Sequence, residues 1–369
     1  MTLIHDDIAA VLKRWVVEQG VAPGASAYVA RHVEGSWRAA QGAAGRHAGP
    51  GSTLVSPQTI YDLASLTKPV AAATVARLAR AGALGWGQPL GAILPEVAAT
   101  ASAGTPLELL ASHRAGLEAH IRLRDSGAPV SSWLSLCANA RRAECRTAVP
   151  PEGFAPVYSD LGYILLGAAL EAHLGLPLDR LLEREVAGPL GLELDSAQGW
   201  GRRIGPGDFL ERVAPTEHLA ERGGLVCGVV HDDNAWDSQV AGAAGHAGLF
   251  GTAEAIGGFA RALLDALAGR SAAWLARPEA EFLVSPRPGG SLRTGFDGKA
   301  EQGSSAGPCF GVRAFGHLGF TGTSVWCDPD AGVVVVLLTN RVHPTRENIL
   351  IRTVRPDVHG ALFGLSAGL

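Results

Sequence analysis

Lysine is nearly absent from this chain. Of its 31 basic residues only Lys13, Lys68 and Lys299 are lysines; the rest are arginine. Long apolar runs are missing too. The longest aliphatic stretch, Val333 to Leu338, is far too short to span a bilayer. Met1 to Asp7 has no basic region leading into an apolar core and a small-residue cleavage site. The expectation is therefore a soluble, cytoplasmic protein with no membrane partner. Charge of one sign never clusters: the net charge is -4, with no basic stripe, which excludes the electrostatic footprint of a nucleic-acid binder. The five cysteines, Cys137, Cys145, Cys227, Cys309 and Cys327, are odd in number and lack zinc-finger spacing. They read as small buried hydrophobes in a reducing compartment.

What is present reads as globular. The chain is 47% hydrophobic and 18% charged, which is too apolar for disorder. At 369 residues it holds one large domain or two lobes. Asp6 to Gln19 is patterned as an amphipathic helix, and Ala25 to Val33 and Ser36 to Gln41 as a hairpin about Glu34-Gly35. Leu63 to Arg80, Leu161 to His173, Leu176 to Glu185 and Ala253 to Ala268 read as helices. Cys309 to His317, Thr321 to Cys327 and Val333 to Thr339 read as strands, with a turn at Asp328 to Gly332. Thr345 to Phe363 closes the chain as a helix whose pattern Pro356 interrupts. Strands at both ends around a helical middle predict an α+β fold. One antiparallel sheet forms from both chain ends (residues 1–82 and 230–369), flanked by helices, and an all-helical lobe (83–229) is inserted.

The scarcity of lysine makes Ser65-Leu66-Thr67-Lys68 stand out. With 21 serines present, chance places one of three lysines three residues after a serine about once in six. Arginine stays protonated in proteins, whereas a desolvated lysine can lose its proton and act as a base. Positions i and i+3 share a helix face, so Ser65 and Lys68 point together at a helix N-terminus, where free N–H groups favour an oxyanion. The flanking Leu63, Ala64, Leu66 and Val70 predict an apolar setting that keeps the amine neutral. The plainer alternative is a capping Ser65 and a solvated Lys68. Tyr158-Ser159-Asp160 follows a Pro/Gly loop and precedes a helix; Tyr158 is placed to relay a proton, or else packs its ring while Asp160 caps the helix. In Gly316-His317-Leu318-Gly319-Phe320-Thr321-Gly322-Thr323 the glycines permit close backbone approach, and His317 is a candidate to hold a polar group, or else faces solvent.

Ser-x-x-Lys, Tyr-Ser-Asp and His-x-Gly, in that order around a helical insertion, resemble the serine β-lactamase and penicillin-binding protein superfamily, closest to class C β-lactamase-related serine hydrolases and esterases. The likeness runs along nearly the whole chain, through Tyr61 to Ser65, Leu90 to Glu96, Leu109 to Leu117, Leu161 to Gly167 and Gly188 to Leu192. It implies Ser65 as nucleophile, Lys68 as its proton acceptor and Tyr158 as general base and acid. It also implies an oxyanion hole from the backbone N–H groups of Ser65 and Phe320, and substrate contacts from Asp160, His317, Leu318, Gly319 and Thr321. Two departures matter. Asp160 replaces the usual asparagine, and His317-Leu318-Gly319 replaces Lys-Thr-Gly, which normally holds a substrate carboxylate. Thr321 or a protonated His317 is left to compensate in part. His231, Asp232 and His246 are metal-ligating residue types, but the resemblance implies no metal and no cofactor, and favours turn chemistry and cleft lining.

The expected activity is that of a serine hydrolase or acyltransferase working through an acyl-enzyme on small ester (or amide) substrates. The alternatives are a β-lactamase, D-alanyl carboxypeptidase or D-amino-acid peptidase, and a non-catalytic binding module on the same fold. No feature of the sequence indicates an oligomeric state.

Overall fold

The computed structural model describes residues 2–238 and 242–369. Helix α1 (Thr2–Leu12) continues into a wider turn at Lys13–Val17. Strands β1 (Gly24–Val33) and β2 (Ser36–Gly45) form the expected hairpin, with Glu34 and Gly35 both at positive φ. Next come β3 (Tyr61–Asp62), a 3-10 turn at Ala64–Leu66 and helix α2 (Thr67–Arg80). The middle of the chain is mainly helical, with α3 (Asp160–Leu174) its longest helix; it also carries short strands, among them β4 (Leu194–Ser196). Then follow β5 (Leu249–Gly251), α4 (Ala253–Leu267), β6 (Asp297–Gly298), β7 (Phe315–Leu318), β8 (Ser324–Asp328), β9 (Val333–Thr339) and α5 (Ile351–Leu365).

The main sheet is ordered β2-β1-β9-β8-β7-β6 and every pairing in it is antiparallel, with Tyr28 opposite Val336. The strands from the two chain ends meet at β1 and β9, as the sequence pattern predicts. β9 reads VVVVLLT without alternation because both of its faces are covered. Val333, Val335 and Leu337 pack with Ile8, Leu12, Val354, Val358 and Leu362 on one side. Val334, Val336 and Leu338 join the large core shared with α2, α3 and α4 on the other. Fully burying one such side chain contributes about 1.5–3 kcal/mol.

Some of the boundaries that differ from the pattern lie near the cleft. The last helix begins at Ile351 rather than Thr345 and runs through Pro356, because Val354, Val358 and Leu362 are held on the sheet and their burial outweighs one lost backbone bond. β7 begins at Phe315 and β8 at Ser324, leaving Gly319 to Thr323 as a tight turn that ends beside Ser65. Among the described residues no single helix is long and apolar enough to cross a membrane.

Helix α4 approaches β1 most closely at Gly257, where a Cβ would lie 2.3 Å from the Tyr28 ring. Tyr28 is buried in the large core. Gly257→Ala is therefore expected to lose about 1–3 kcal/mol of stability in urea unfolding through overpacking. An unchanged midpoint would show that the helix lifts off the sheet without cost.

Candidate active site

The serine is presented by a backbone turn before it enters any helix. Ala64 has φ +48°, a left-handed conformation that is uncommon for a residue with a Cβ. Asp62 holds it there. Its Oδ1 accepts the Ala64 N–H at 2.8 Å, while its Oδ2 accepts the His231 N–H at 2.7 Å. Ala64 and Leu66 are buried on either side, so Ser65 alone emerges at the cleft.

Lys68 lies in the first turn of α2 and is completely buried. Its Nζ donates to Ser65 Oγ at 2.8 Å, to Asp160 Oδ1 at 2.7 Å and to the carbonyl of His246 at 3.2 Å, which uses all three ammonium hydrogens. Burial is as expected; a neutral amine is not what results. Burial alone pushes Lys68 down, but the charge of Asp160, with Tyr158 beside it, outweighs that and raises the pKa to about 12. The role of proton acceptor in the resting site therefore does not fit Lys68, because a carboxylate stands where the family pattern has a neutral amide. Burial opposes the charge of Asp160 as well, yet Lys68 and a hydrogen bond from His120 hold it far below the usual carboxylate range.

Asp160 is free to do this because Ser159 caps α3, its Oγ accepting the Gly162 N–H at 3.3 Å. A carboxylate in the first turn of a helix is also favoured by the helix dipole. Tyr158, just outside the cap, faces Lys68, whose Nζ is 4.8 Å from the ring centre. Burial pushes its phenol pKa up, and Lys68 offsets part of the rise. The ring rests on His113, 4.6 Å away between centroids. His113 was not among the candidates; it lies within a segment quoted above only for its family likeness. It has φ +61°, and its Nδ1 accepts the Ser159 N–H at 3.0 Å. Burial, then the charge of Lys68, lower its pKa to about 3, so it is a neutral platform.

The opposite wall is the turn after β7. A Cβ on Gly319 would meet Thr323 Oγ1 at 1.9 Å and the Leu63 carbonyl at 2.6 Å, so only glycine lets this turn approach the serine. The hydroxyl of Thr321 donates to the Asp62 carbonyl at 2.8 Å and that of Thr323 to the Leu63 carbonyl at 3.0 Å. Thr321 is thus committed to the backbone before Ser65 and does not offer its hydroxyl to a substrate. A protonated His317 is likewise not found: burial and Lys68 lower its pKa to about 3, and its Nδ1–H donates to the Leu318 carbonyl at 2.9 Å. The backbone N–H groups of Ser65 and Phe320 have no acceptor among the described residues. They are the pair expected to receive an oxyanion.

The resulting cleft, about 650 Å³, is lined by Ser65, His120, Tyr158, Asp160, His317 and Phe320, together with arginines. His231 and His246 serve different carboxylates: Nε2 of His231 meets Glu217 at 2.9 Å, and Nε2 of His246 meets Asp232 at 2.7 Å. They form two separate histidine–carboxylate contacts rather than one ligand set.

The family model for Beta-lactamase matches residues 12–358. The chain belongs to the β-lactamase family. An N-acetylmuramyl-L-alanine amidase of Bacillus subtilis is 31% identical over 201 residues, which are 51% of this chain and 44% of the relative. A Salmonella agona protein bearing a D-alanyl-D-alanine carboxypeptidase name is 31% identical over 202 residues, 51% of this chain and 45% of that protein. This chain thus spans under half the length of each relative. Among solved structures, EstCE1, described as a hydrolase with promiscuous acyltransferase activity, superposes with a TM-score of 0.70 at 21% identity, covering 96% of this chain and 98% of its own. A class C β-lactamase from Rhodobacter sphaeroides gives 0.67 at 18% identity, covering 96% and 99%. Both show the family's fold.

Asp160→Asn tests the buried pair. It leaves an ammonium without its counter-charge, and a loss of about 3–5 kcal/mol at pH 7 is expected in urea unfolding. The folded pKa of Asp160 is depressed, so its stabilisation is present above the ordinary carboxylate pKa and fades as pH falls through the folded value. The gap between wild type and variant should therefore narrow below about pH 4. A gap constant from pH 7 to pH 3 would contradict the assignment.

Proposed function

We propose that this protein is a serine hydrolase that forms an acyl-enzyme at Ser65, and that small carboxylic esters are its leading substrate class. The observation that carries the reading is one juxtaposition. Ser65 Oγ accepts a hydrogen bond from a buried ammonium at 2.8 Å, while the Ser65 and Phe320 N–H groups stand unpaired at the same cleft.

The chemistry follows from the charges. Lys68 already carries its full set of protons, so the base is the phenolate of Tyr158, formed once its phenol proton has left to solvent and stabilised by the neighbouring ammonium; the Ser65 proton passes to it. Ser65 Oγ attacks the carbonyl carbon, the oxyanion settles on the two N–H groups, and Tyr158 returns the proton to the leaving group. Loss of one such donor typically costs about 10²–10³ in rate. Water, or another hydroxyl or amine, then takes the acyl group. The neutral His317, the apolar Leu318 and the anionic Asp160 disfavour β-lactams, whose carboxylate and amide would meet no matching partner at these three positions.

A second reading, amide hydrolysis of a carboxylate-bearing substrate, draws support from the arginines of the cleft. Arg341, Arg352 and Arg355 line it, and none has a carboxylate partner among the described residues. Arg355 is buried, with its Nε unpaired. Burial, then Arg341, lower its pKa to about 10. The relatives named as amidase and carboxypeptidase fit this direction.

Intact-protein mass after brief mixing with p-nitrophenyl acetate is expected to show one acetyl group on Ser65, with a burst of nitrophenol. Ser65→Ala should abolish both; full turnover in that variant would overturn the proposal. For the second reading, a p-nitrophenyl ester with a terminal carboxylate should have a KM roughly 10- to 100-fold below its neutral analogue, and Arg355→Gln should erase the difference. Equal KM values in wild type would leave the arginines without a substrate role.

A further inference from the structure

Three histidines line the cleft, and only one is fit to move a proton near neutral pH. His317 is too weak a base, with its pKa at about 3 and its Nδ1–H given to Leu318. His231 has its Nε2 against Glu217 and its backbone N–H on Asp62, and its ring stacks on Phe320. His120 remains. Its side chain is 46% exposed, it faces the same cleft as Ser65, and its Nδ1 lies 3.3 Å from Asp160 Oδ2.

The local backbone fixes this arrangement. The Asp160 N–H donates to the Ala119 carbonyl at 2.9 Å, so the start of α3 and the residue before His120 are tied together. Because Lys68 keeps Asp160 ionised, Nδ1 of His120 is the protonated nitrogen and Nε2 carries the lone pair. A continuous chain results: His120 Nδ1 to Asp160 at 3.3 Å, Asp160 to Lys68 at 2.7 Å, Lys68 to Ser65 Oγ at 2.8 Å. The groups facing His120 are Asp160, Asp232 and Asp233, with Lys68 and His246 behind the carboxylates. The hydrogen bond to Asp160 raises the imidazole pKa, burial lowers it in part, and the charges of Asp160, Asp232 and Asp233 add to the rise.

We propose that His120, oriented by Asp160, is the general base that activates the acyl acceptor when the acyl-enzyme breaks down; this rests on the acyl-enzyme at Ser65. Water gives a proton to His120 Nε2 as its oxygen bonds to the acyl carbon. The tetrahedral intermediate collapses, the bond from that carbon to Ser65 Oγ breaks, and Oγ takes a proton from the Lys68 ammonium that already donates to it. His120 then releases its Nδ1 proton to Asp160, which passes one to Lys68, and the imidazole, left protonated at Nε2, returns to its Nδ1–H form by proton exchange with the water that reaches its half-exposed ring. Water and acyl-serine become carboxylic acid and free serine, with every proton returned. An alcohol or amine entering in place of water follows the same route, so one residue serves hydrolysis and acyl transfer.

The test separates the two half-reactions by stopped flow with p-nitrophenyl acetate. His120→Gln retains a hydrogen-bond donor toward Asp160 but no base. The burst, which reports acylation, should stay within about threefold of wild type, while the steady-state rate falls roughly 10²- to 10³-fold and acetyl-Ser65 accumulates in the mass spectrum. Wild-type deacylation should decline as pH falls through the imidazole pKa, a limb the variant lacks, and added imidazole should restore turnover in His120→Ala. Wild-type deacylation in His120→Gln, or equal slowing of burst and steady state, overturns the proposal. If wild type forms no adduct at Ser65, the acyl-enzyme reading fails and this one with it; an adduct that His120→Gln sheds at the normal rate sinks only the role of His120.

Discussion

The buried ion pair between Lys68 and Asp160 is the interaction on which the site depends. Its partners are 92 residues apart, on the first turns of two helices, one following the strand that presents the serine and the other belonging to the insertion. A charge with no solvent exposure is tolerated only when it is paired and fully hydrogen-bonded, and Lys68 meets that condition with three acceptors. The same pair sets the electrostatics of the cleft. It keeps Lys68 charged and, through that charge, helps hold His113 and His317 neutral and lowers the cost of ionising Tyr158.

Around this pair the backbone is held rigid by short polar ties. Asp62 accepts from Ala64 and His231 through its side chain, and its carbonyl accepts from Thr321. Two segments distant in sequence therefore converge on Asp62, three residues before Ser65. A strained φ at Ala64 persists because these bonds over-determine it. The outcome is a serine and two free N–H groups that need no rearrangement before reaction, which is how preorganised electrostatic stabilisation operates.

The two histidine–carboxylate pairs, His231 with Glu217 and His246 with Asp232, extend this framework outward. His246 lends its carbonyl to Lys68, and the His231 ring lies against Phe320, which lines the cleft. Residues whose types suggest metal ligands here pair with separate carboxylates and support the cleft wall.

Much of this was legible in the chain itself. The order of strands and helices, the pairing of the two chain ends in one sheet, and the nearness of Lys68 to Ser65 follow from local signals: apolar periodicity, a Gly turn and a rare lysine at helical spacing. These are properties of a residue and its near neighbours, and sequence determines them directly. The charge of Lys68, the neutrality of His317, the diversion of the Thr321 hydroxyl and the place of His120 beside Asp160 were not legible. Each depends on which side chains meet across gaps of tens to hundreds of residues and on how far burial is offset by a neighbouring charge. Spacing in sequence carries no record of that balance, and only the tertiary structure, by bringing a carboxylate and an ammonium together out of water, decided it.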